Sequence, residues 1–532
     1  MERIYRRRTP TDRVISHDLA RYLTELSSQT GKQLGVLISR EGVITHVILG
    51  DAKGLLIPAL DDYPLGRKPL RGLRFVHTHL RSEPLNDEDI TDLSLLRFDL
   101  IAAITIRDGL PHTIHLAHLM PYGSQRRYDL ISSDFYQLDF NFRQFIESLE
   151  EEMDRHRVFD RNDGRERALL VSASTKPKPF LEDSMEELKE LAMSSDVTVL
   201  GTVIQRLKEV NPTHLLGEGK LKELVIDAFD KGATLLIFDQ DLTPSQMRAI
   251  AESTELKVID RSQLILDIFA RRAHSRDGKV QVELAQLKYT LPRLTGKGTA
   301  MSRLMGGIGG RGPGEMKLEI DRRRIRDRIA HLERELQVLS EARRQRKHRR
   351  VSTGIPIVSI IGYTNAGKST LLNALTKSTT FVEDKMFATL DTASRRLRFP
   401  KEREVIVTDT VGFIRDLPRD LIAAFKATLE ELEDADLLLH IIDIANPRFE
   451  QHIASVETIL NDLNLLGTPR ILVFNKADLV TPQEASYLTA RHEAVAVSAM
   501  DPRTFSALLG AIEHHLWDSR NHQTPELAAS GD

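Results

Sequence analysis

The chain has no cysteine among its 532 residues, which excludes a disulfide framework and any thiolate metal site. It has no run of about 18 apolar residues, the length that a membrane-spanning helix needs. Its opening, Met-Glu-Arg-Ile-Tyr-Arg-Arg-Arg, lacks the apolar core of a secretory leader. A soluble, cytoplasmic protein without membrane partners is therefore expected. Charge of one sign is lacking as well: the formal net charge is −3, so nothing global announces a nucleic-acid partner. The length leaves room for about three or four domains, each with its own core.

What is present is concentrated. Residues 362–370 read Gly-Tyr-Thr-Asn-Ala-Gly-Lys-Ser-Thr, a complete G-x-x-x-x-G-K-[ST] phosphate loop. An apolar run over 355–361 precedes it and a helix-like Leu-Leu-Asn-Ala-Leu follows. Strand, glycine loop and helix in that order aim backbone N–H groups and a helix N-terminus at phosphate oxygens. Gly362, Tyr363, Thr364, Asn365, Ala366, Gly367, Lys368, Ser369 and Thr370 are expected to hold the nucleotide, with Lys368 on the β- and γ-phosphates and the Ser369 hydroxyl on Mg²⁺.

The rest of this segment selects the base. Residues 405–412, Val-Ile-Val-Thr-Asp-Thr-Val-Gly, form a strand pattern ending in D-x-x-G. There Asp409 can reach Mg²⁺ through water, and the Gly412 N–H can sense a γ-phosphate. A second apolar strand, 470–474, leads into Asn475, Lys476, Ala477 and Asp478. A carboxylate at Asp478 matches the N1 and N2 donors of guanine, a pair adenine lacks. Asn475 and Lys476 support the base, and Ser498 and Ala499 supply the last base-contacting loop. GTP is the expected substrate.

Phe413 follows Gly412, where Ras-like enzymes carry a glutamine that orients the attacking water. An apolar side chain cannot do so, and intrinsic hydrolysis is expected to be slow without a partner or rearrangement. Asn365, three residues before Lys368, stands where potassium-activated GTPases carry asparagine. It either helps to hold K⁺ or simply tolerates the loop's turn geometry. Thr389, in Phe-Ala-Thr-Leu-Asp over 387–391, is the expected switch I ligand for Mg²⁺ and the γ-phosphate.

These phrases together resemble the HflX family of ribosome-associated GTPases. The resemblance includes Asp-Thr-Val-Gly-Phe-Ile-Arg-Asp-Leu-Pro over 409–418, Ala-Phe-Lys-Ala-Thr over 424–428 and Gly-Gly-Ile-Gly-Gly over 306–310. It extends over about 165–519, through Gly-Thr-Val-Ile-Gln at 201–205 and Val-Ile-Asp-Arg at 258–261. One departure is Thr392-Ala393 after Asp391, where the family has Pro-Thr. The resemblance implies a factor that binds the large ribosomal subunit or the 70S particle with GTP, splits stalled or idle ribosomes, notably under heat stress, and is reset by hydrolysis.

Residues 321–350 hold twelve Arg or Lys against five Asp or Glu. Within them Ile325, Ile329, Leu332, Leu336 and Leu339 recur every three or four positions, an apolar seam on a long helix. The expected partner is a helical stretch from Gln263 to about Leu291, with Leu264, Ile268, Leu284 and Leu287 on one side. An antiparallel basic hairpin results, tipped by the glycine-rich loop 295–314, which carries Lys297, Arg303 and Arg311. Solvated helix and flexible linker are the plain readings; rRNA phosphate is the functional one. The resemblance places the tip near the peptidyl-transferase region. Before the hairpin, residues 166–260 alternate parallel strands with helices.

In the first 165 residues, His77-Thr-His79 and the later Asn86 and Asp89 resemble the zinc motif of JAB/MPN metalloproteases. Two histidines at i and i+2 share a strand face, and Asp89 can complete a His₂Asp set. However, Asn86 replaces a serine, and Lys32 stands where the catalytic glutamate precedes the strand, so a metal-free or purely structural domain is expected. The chain is thus read as multidomain α/β: an N-terminal α+β domain (1–165), an α/β subdomain (166–260), the hairpin (261–350), a Ras-like P-loop GTPase domain (351–519) and a flexible tail (520–532), monomeric throughout. Two further functions stay open, a GTP-timed assembly or RNA-binding factor and a metal-dependent peptidase with a regulatory GTPase.

Overall fold

The computed structural model describes residues 2–52, 54–58, 60, 62–63, 68–121, 124–158, 165–294, 315–351, 355–376, 393–399, 403–410, 412–415 and 430–518. Thr389, the tip loop 295–314 and the tail 520–532 lie outside them.

Three sheets organise the chain. The first has strands β1 (Leu34–Ser39), β2 (Ile44–Leu49), β3 (Leu73–His79), β4 (Leu100–Arg107), β5 (Leu110–Leu119) and β6 (Tyr128–Asp134), in the order β2-β1-β3-β4-β5-β6. All its pairings are antiparallel except β3 with β4. Both β1 and β3 are buried along their whole length, as strands covered on two faces must be. The helix His17–Thr30 packs on this sheet. The Ser16 hydroxyl accepts the Leu19 N–H at its start, and Gly31 closes it with φ 63°.

The second sheet is wholly parallel, with β7 (Arg167–Ser174), β8 (Thr198–Arg206), β9 (Leu235–Phe238) and β10 (Lys257–Asp260) in the order β10-β9-β7-β8. The expected alternation is present, the helices Lys178–Ser194, Glu218–Asp230 and Pro244–Glu252 supplying the crossovers. The first and second units touch through the ion pair of Arg71 with Glu255 at 2.5 Å and of Arg127 with Asp230 at 3.2 Å. Leu95 packs into the second unit's core.

The third sheet has β11 (Ile357–Gly362), β12 (Ala393–Arg398), β13 (Glu404–Asp409), β14 (Leu437–Asp443), β15 (Arg470–Asn475) and β16 (Val495–Ala496), ordered β12-β13-β11-β14-β15-β16. Only β12 runs antiparallel to its neighbour.

Between the second and third sheets lies a helix pair. The 37-residue helix Glu315–Val351 packs against Arg276–Thr290 through Val280, Leu284 and Leu332, flanked by Leu287, Ile329, Leu336 and Leu339. Ion pairs of Arg276 with Glu335 and of Arg328 with Glu283, each at 2.7 Å, set the antiparallel register. Arg323, Arg324, Arg326 and Arg334 are exposed. The expectation of one continuous first helix is corrected. The chain breaks after Arg272, and Ser275 caps a new helix by accepting the Gly278 N–H at 2.9 Å. Leu264 and Ile268 belong to the earlier helix, Arg261–Arg272, and enter the core of the parallel sheet instead of the hairpin seam.

Candidate functional site

The phosphate loop leaves β11 at its C-terminal end and enters the helix Lys368–Thr376, the crevice position where open α/β sheets bind ligands. Its two glycines are structural necessities. Gly362 has φ 148° and Gly367 φ 87°, backbone regions that L side chains rarely adopt. A Cβ at Gly367 would collide with the Asn475 amide, and one at Gly362 with the Ile441 carbonyl. Asn365 also sits at positive φ, 60°, a conformation that asparagine tolerates better than most residues.

Lys368 is buried, and its ammonium donates to the Tyr363 carbonyl at 2.8 Å, curling the loop around itself. Burial pulls its pKa down to about 8 against the opposing pull of Asp409. The Ser369 hydroxyl donates to Asp409 Oδ2 at 2.6 Å, so the loop and the end of β13 present hard oxygen donors side by side. Such a pair suits Mg²⁺. Gly412 lies so near that a Cβ there would stand 3.0 Å from Lys368 Nζ. Phe413 closes the segment over the loop: Thr364 N–H donates to its carbonyl at 2.8 Å and its own N–H donates to Gly362 at 3.1 Å. The Phe413 side chain is buried in the same apolar cluster as Tyr363 and Ile414.

The base-side residues converge through Asn475. Its buried amide donates to the Ala366 carbonyl at 2.8 Å and accepts from the Ala499 N–H at 2.9 Å. One side chain thus ties the phosphate loop to both base loops. Lys476, at φ 60°, pairs with Asp443 at 2.8 Å. Asp478 stands exposed in the single turn Ala477–Leu479, and Ser498 is buried, its hydroxyl accepting from Met500 N–H at 3.3 Å.

Several residues that the motifs did not flag meet the loop from the second unit. The Tyr363 phenol donates to Glu187 on the helix Lys178–Ser194 and accepts from the Arg415 N–H at 2.8 Å. The other Glu187 oxygen accepts from Arg261 at 2.6 Å and Arg415 at 3.4 Å. Burial pushes the Glu187 carboxyl up, yet Arg261, the Tyr363 hydrogen bond and Arg415 outweigh it and hold the group below the usual glutamate range. Burial and the Glu187 charge together push the Tyr363 phenol well above its ordinary value. On its other side Tyr363 stacks on His452, centroids 3.9 Å apart and planes 1° from parallel. A cavity lined by Glu187, Glu190, Asn365, Asp443, Arg448 and His452 opens here. The available signal was Glu187 itself, a charge beside the apolar stripe of Leu181, Leu188 and Leu191.

Comparison with known proteins agrees with this geometry. Residues 182–270 match the family described as GTP-binding GTPase N-terminal, 272–350 its GTP-binding GTPase Middle Region, and 357–476 the 50S ribosome-binding GTPase family. A GTPase HflX of Caldanaerobacter subterraneus subsp. tengcongensis is 49% identical over 355 residues, covering 66% of this chain and 81% of that protein. The chain belongs to the HflX family of GTPases. The Escherichia coli K12 member is 43% identical over 323 residues, 61% of this chain and 76% of that one. A GTP-binding protein from Sulfolobus solfataricus, solved in complex with GDP, aligns with TM-score 0.36 and 24% identity, over 68% of this chain and 100% of that one.

For an HflX-family GTPase the substrate is GTP, and Mg²⁺ is its usual companion. Among the described residues no helix is long and apolar enough to cross a membrane.

Proposed function

We propose that this GTPase acts on the ribosome: it binds the large subunit or the 70S particle in its GTP state, splits stalled or idle particles, and is reset by ribosome-stimulated hydrolysis. The carrying observation is the contact of Glu187 and Arg261 with Tyr363 and Arg415. It joins the nucleotide loop directly to the unit that leads into the basic helix pair. A matched family also bears the description 50S ribosome-binding GTPase.

In this reading the loop amides of residues 363–370 and the Lys368 ammonium hold the phosphates, and Asp478 accepts from the guanine N1 and N2 donors. Asn475 orders the base loops, with Lys476, Ser498 and Ala499 beside them. Ser369, Asp409 and Thr389 would hold Mg²⁺, which supplies charge neutralisation on the β- and γ-oxygens. Gly412 presents its N–H to the γ-phosphate. Phe413 positions this segment through its buried ring and contributes no proton acceptor, so water must be oriented by a partner or a rearrangement. Asn365 offers an amide oxygen for K⁺ beside the phosphates. The basic face of the helix pair fits rRNA phosphate, with the loop 295–314 carried toward the peptidyl-transferase region.

A GTP-timed assembly factor without splitting activity would share every one of these contacts. Sucrose-gradient profiles of 70S particles with GTP, GDP or a non-hydrolysable analogue separate the two. Conversion to subunits with GTP or the analogue, and none with GDP, is expected; co-sedimentation without conversion would support the assembly role. Removing residues 306–312 is expected to spare nucleotide binding and abolish conversion.

A further inference from the structure

Residues 3–21 hold six arginines against two aspartates, in a chain whose net charge is −3. Thr9 ties this segment to the first sheet, its N–H donating to the Gly42 carbonyl at 2.9 Å. Arg7 is used in packing: its guanidinium stands 4.5 Å from the centre of the Tyr22 ring and donates to the Asp18 carbonyl at 3.1 Å. That fixes the segment beside the start of the helix His17–Thr30. Arg3, Arg6, Arg8, Arg13 and Arg21 are exposed, and among the described residues none of the five makes an ion pair. Arginines left without carboxylates on one segment attract phosphate.

The same segment forms one wall of a cleft of about 310 Å³, at the lower end of the volumes that small-ligand sites occupy, about 300–1,000 Å³. The other wall is the chain that leaves β6, residues 135–141. A backbone bond joins the two, the Phe142 N–H donating to the Asp12 carbonyl at 2.8 Å. Aromatic rings gather there: the His17 centroid lies 5.5 Å from that of Phe135 and 5.7 Å from that of Tyr136. Phe135 is buried and anchors the group. Asp134 accepts the Tyr136 N–H at 2.9 Å and fixes the turn, while Tyr136 itself stays 56% exposed. Arg13, Asp12 and Asp139 line the cleft as well, and Arg21 follows His17 by one helical turn, on the same face.

These features narrow the occupant. An exposed aromatic ring offers a platform for another flat ring. The carboxylates of Asp12 and Asp139 only accept, which matches the exocyclic amino groups of nucleobases. A cationic side chain of a partner protein would also suit rings and carboxylates, but the arginine-rich wall would repel a basic chain. A duplex hides the faces of its bases inside the stack, whereas an unpaired strand presents them. We propose that the cleft takes an unstacked base of a single-stranded nucleic acid, with Tyr136 as the stacking platform and the arginines of residues 3–21 on the flanking phosphates. The matched families begin at residue 182, so this site stands apart from the nucleotide loop and from the proposed action on ribosomes.

The test uses the full chain and a fluorescently labelled RNA of about ten unpaired nucleotides, beside a DNA strand of the same sequence and the duplex. Both single strands are expected to bind more tightly than the duplex; a preference for RNA over DNA would assign a contact to the 2′-hydroxyl. Tyr136→Ala is expected to weaken binding by about 5- to 100-fold, the usual effect of losing one stacked base, and Tyr136→Phe to retain it. Arg6→Gln combined with Arg8→Gln should lower the slope of log affinity against log salt by up to roughly 1.4. Unchanged melting temperature and GTP affinity show that these surface variants stay folded. The helix Glu315–Val351 is basic as well, so position is read by crosslinking: a strand carrying a photoreactive base is expected to label residues 12–17 or 135–141. Crosslinks confined to 315–351, or Tyr136→Ala protein that binds as tightly as the wild type, overturn the proposal. So does a duplex bound as well as the single strand, or a basic peptide that occupies the cleft in its place.

Discussion

Tyr363 donates its phenol hydrogen to Glu187, so the second residue of the phosphate loop is bonded to a helix of another folding unit. Through Arg415, whose N–H donates to the same phenol oxygen, the segment after Gly412 joins the contact. Tyr363→Phe keeps the ring stacked on His452 and removes only this bridge. It is expected to cost about 1–3 kcal/mol of stability, the usual effect of stranding a buried hydrogen-bonding partner, while leaving GTP affinity within about threefold. Denaturant unfolding followed beside nucleotide titration reads both; unaltered stability would show the bridge to be idle.

Lys368 gives the site a pH dependence. Its pKa of about 8 in the nucleotide-free chain means that it is charged below pH 8 and progressively neutral above. Bound phosphate favours the charged form, so binding above pH 8 takes up one proton. GTP affinity is expected to be flat from pH 6.5 to 7.5 and to fall by up to about tenfold per pH unit above 8. Calorimetric titrations in buffers of different ionisation enthalpy measure this uptake directly, and a flat profile to pH 9.5 contradicts the assignment.

Asp478 is exposed at the rim, free of the packing that would confuse a substitution. Asp478→Asn replaces an acceptor pair by one acceptor and one donor. GTP binding is expected to weaken by about 10- to 100-fold, the equivalent of about 1.5–3 kcal/mol for a hydrogen bond to a charged group. Xanthosine triphosphate, which carries an oxygen in place of the N2 amine, should recover part of the loss. Competition between the two nucleotides decides it.

Asn365 bears on the cation. If its amide oxygen helps to hold K⁺, turnover with ribosomes is expected to fall several-fold when K⁺ is replaced by Na⁺, and Asn365→Asp should reduce the difference. Equal turnover in the two salts leaves Asn365 as a residue chosen only for its φ of 60°.

His440, on β14 behind the loop, is buried with its pKa pulled down to about 3 by burial, aided by Arg470 and Lys368. The unfolded chain binds this proton near pH 6.5 and the folded one only near 3. The unfolded state therefore holds more protons in that window, and stability falls as pH drops from about 6.5 toward 3. His440→Gln is expected to flatten the acid limb of the stability profile, with a slope smaller by up to about 1.4 kcal/mol per pH unit.

Much of the nucleotide site was legible in the sequence because its determinants are local. A strand, a glycine loop and a helix start specify the surroundings of Lys368 and Ser369, and Asn475 announces its own turn. The hairpin shows where periodicity stops. Leu264 and Ile268 repeat with helical spacing much as Leu284 and Leu287 do, but spacing reports a buried face without saying which core receives it. The break between the helices rests on a local cap, the Ser275 hydroxyl accepting the Gly278 N–H, to which apolar periodicity is blind. Glu187 offers a different case: its charge beside an apolar stripe marks it as unusual, but its partners Tyr363 and Arg261 lie 176 and 74 residues away, so no local pattern names them. Phe413 stands in the sequence only as the missing water-orienting glutamine, whereas in the structure its side chain is buried and packs in the shared apolar cluster.

One apolar cluster runs without interruption from Leu188, Leu191 and Ile265 to Tyr363, Phe413, Ile414 and Val456. A GTPase fragment begun at residue 355 would therefore turn part of its own interior into surface. Its turnover and solubility would describe a different molecule. The same holds for chimeras: exchanging the nucleotide-binding half between relatives transplants one side of a shared core, and the two halves must be exchanged as a matched pair.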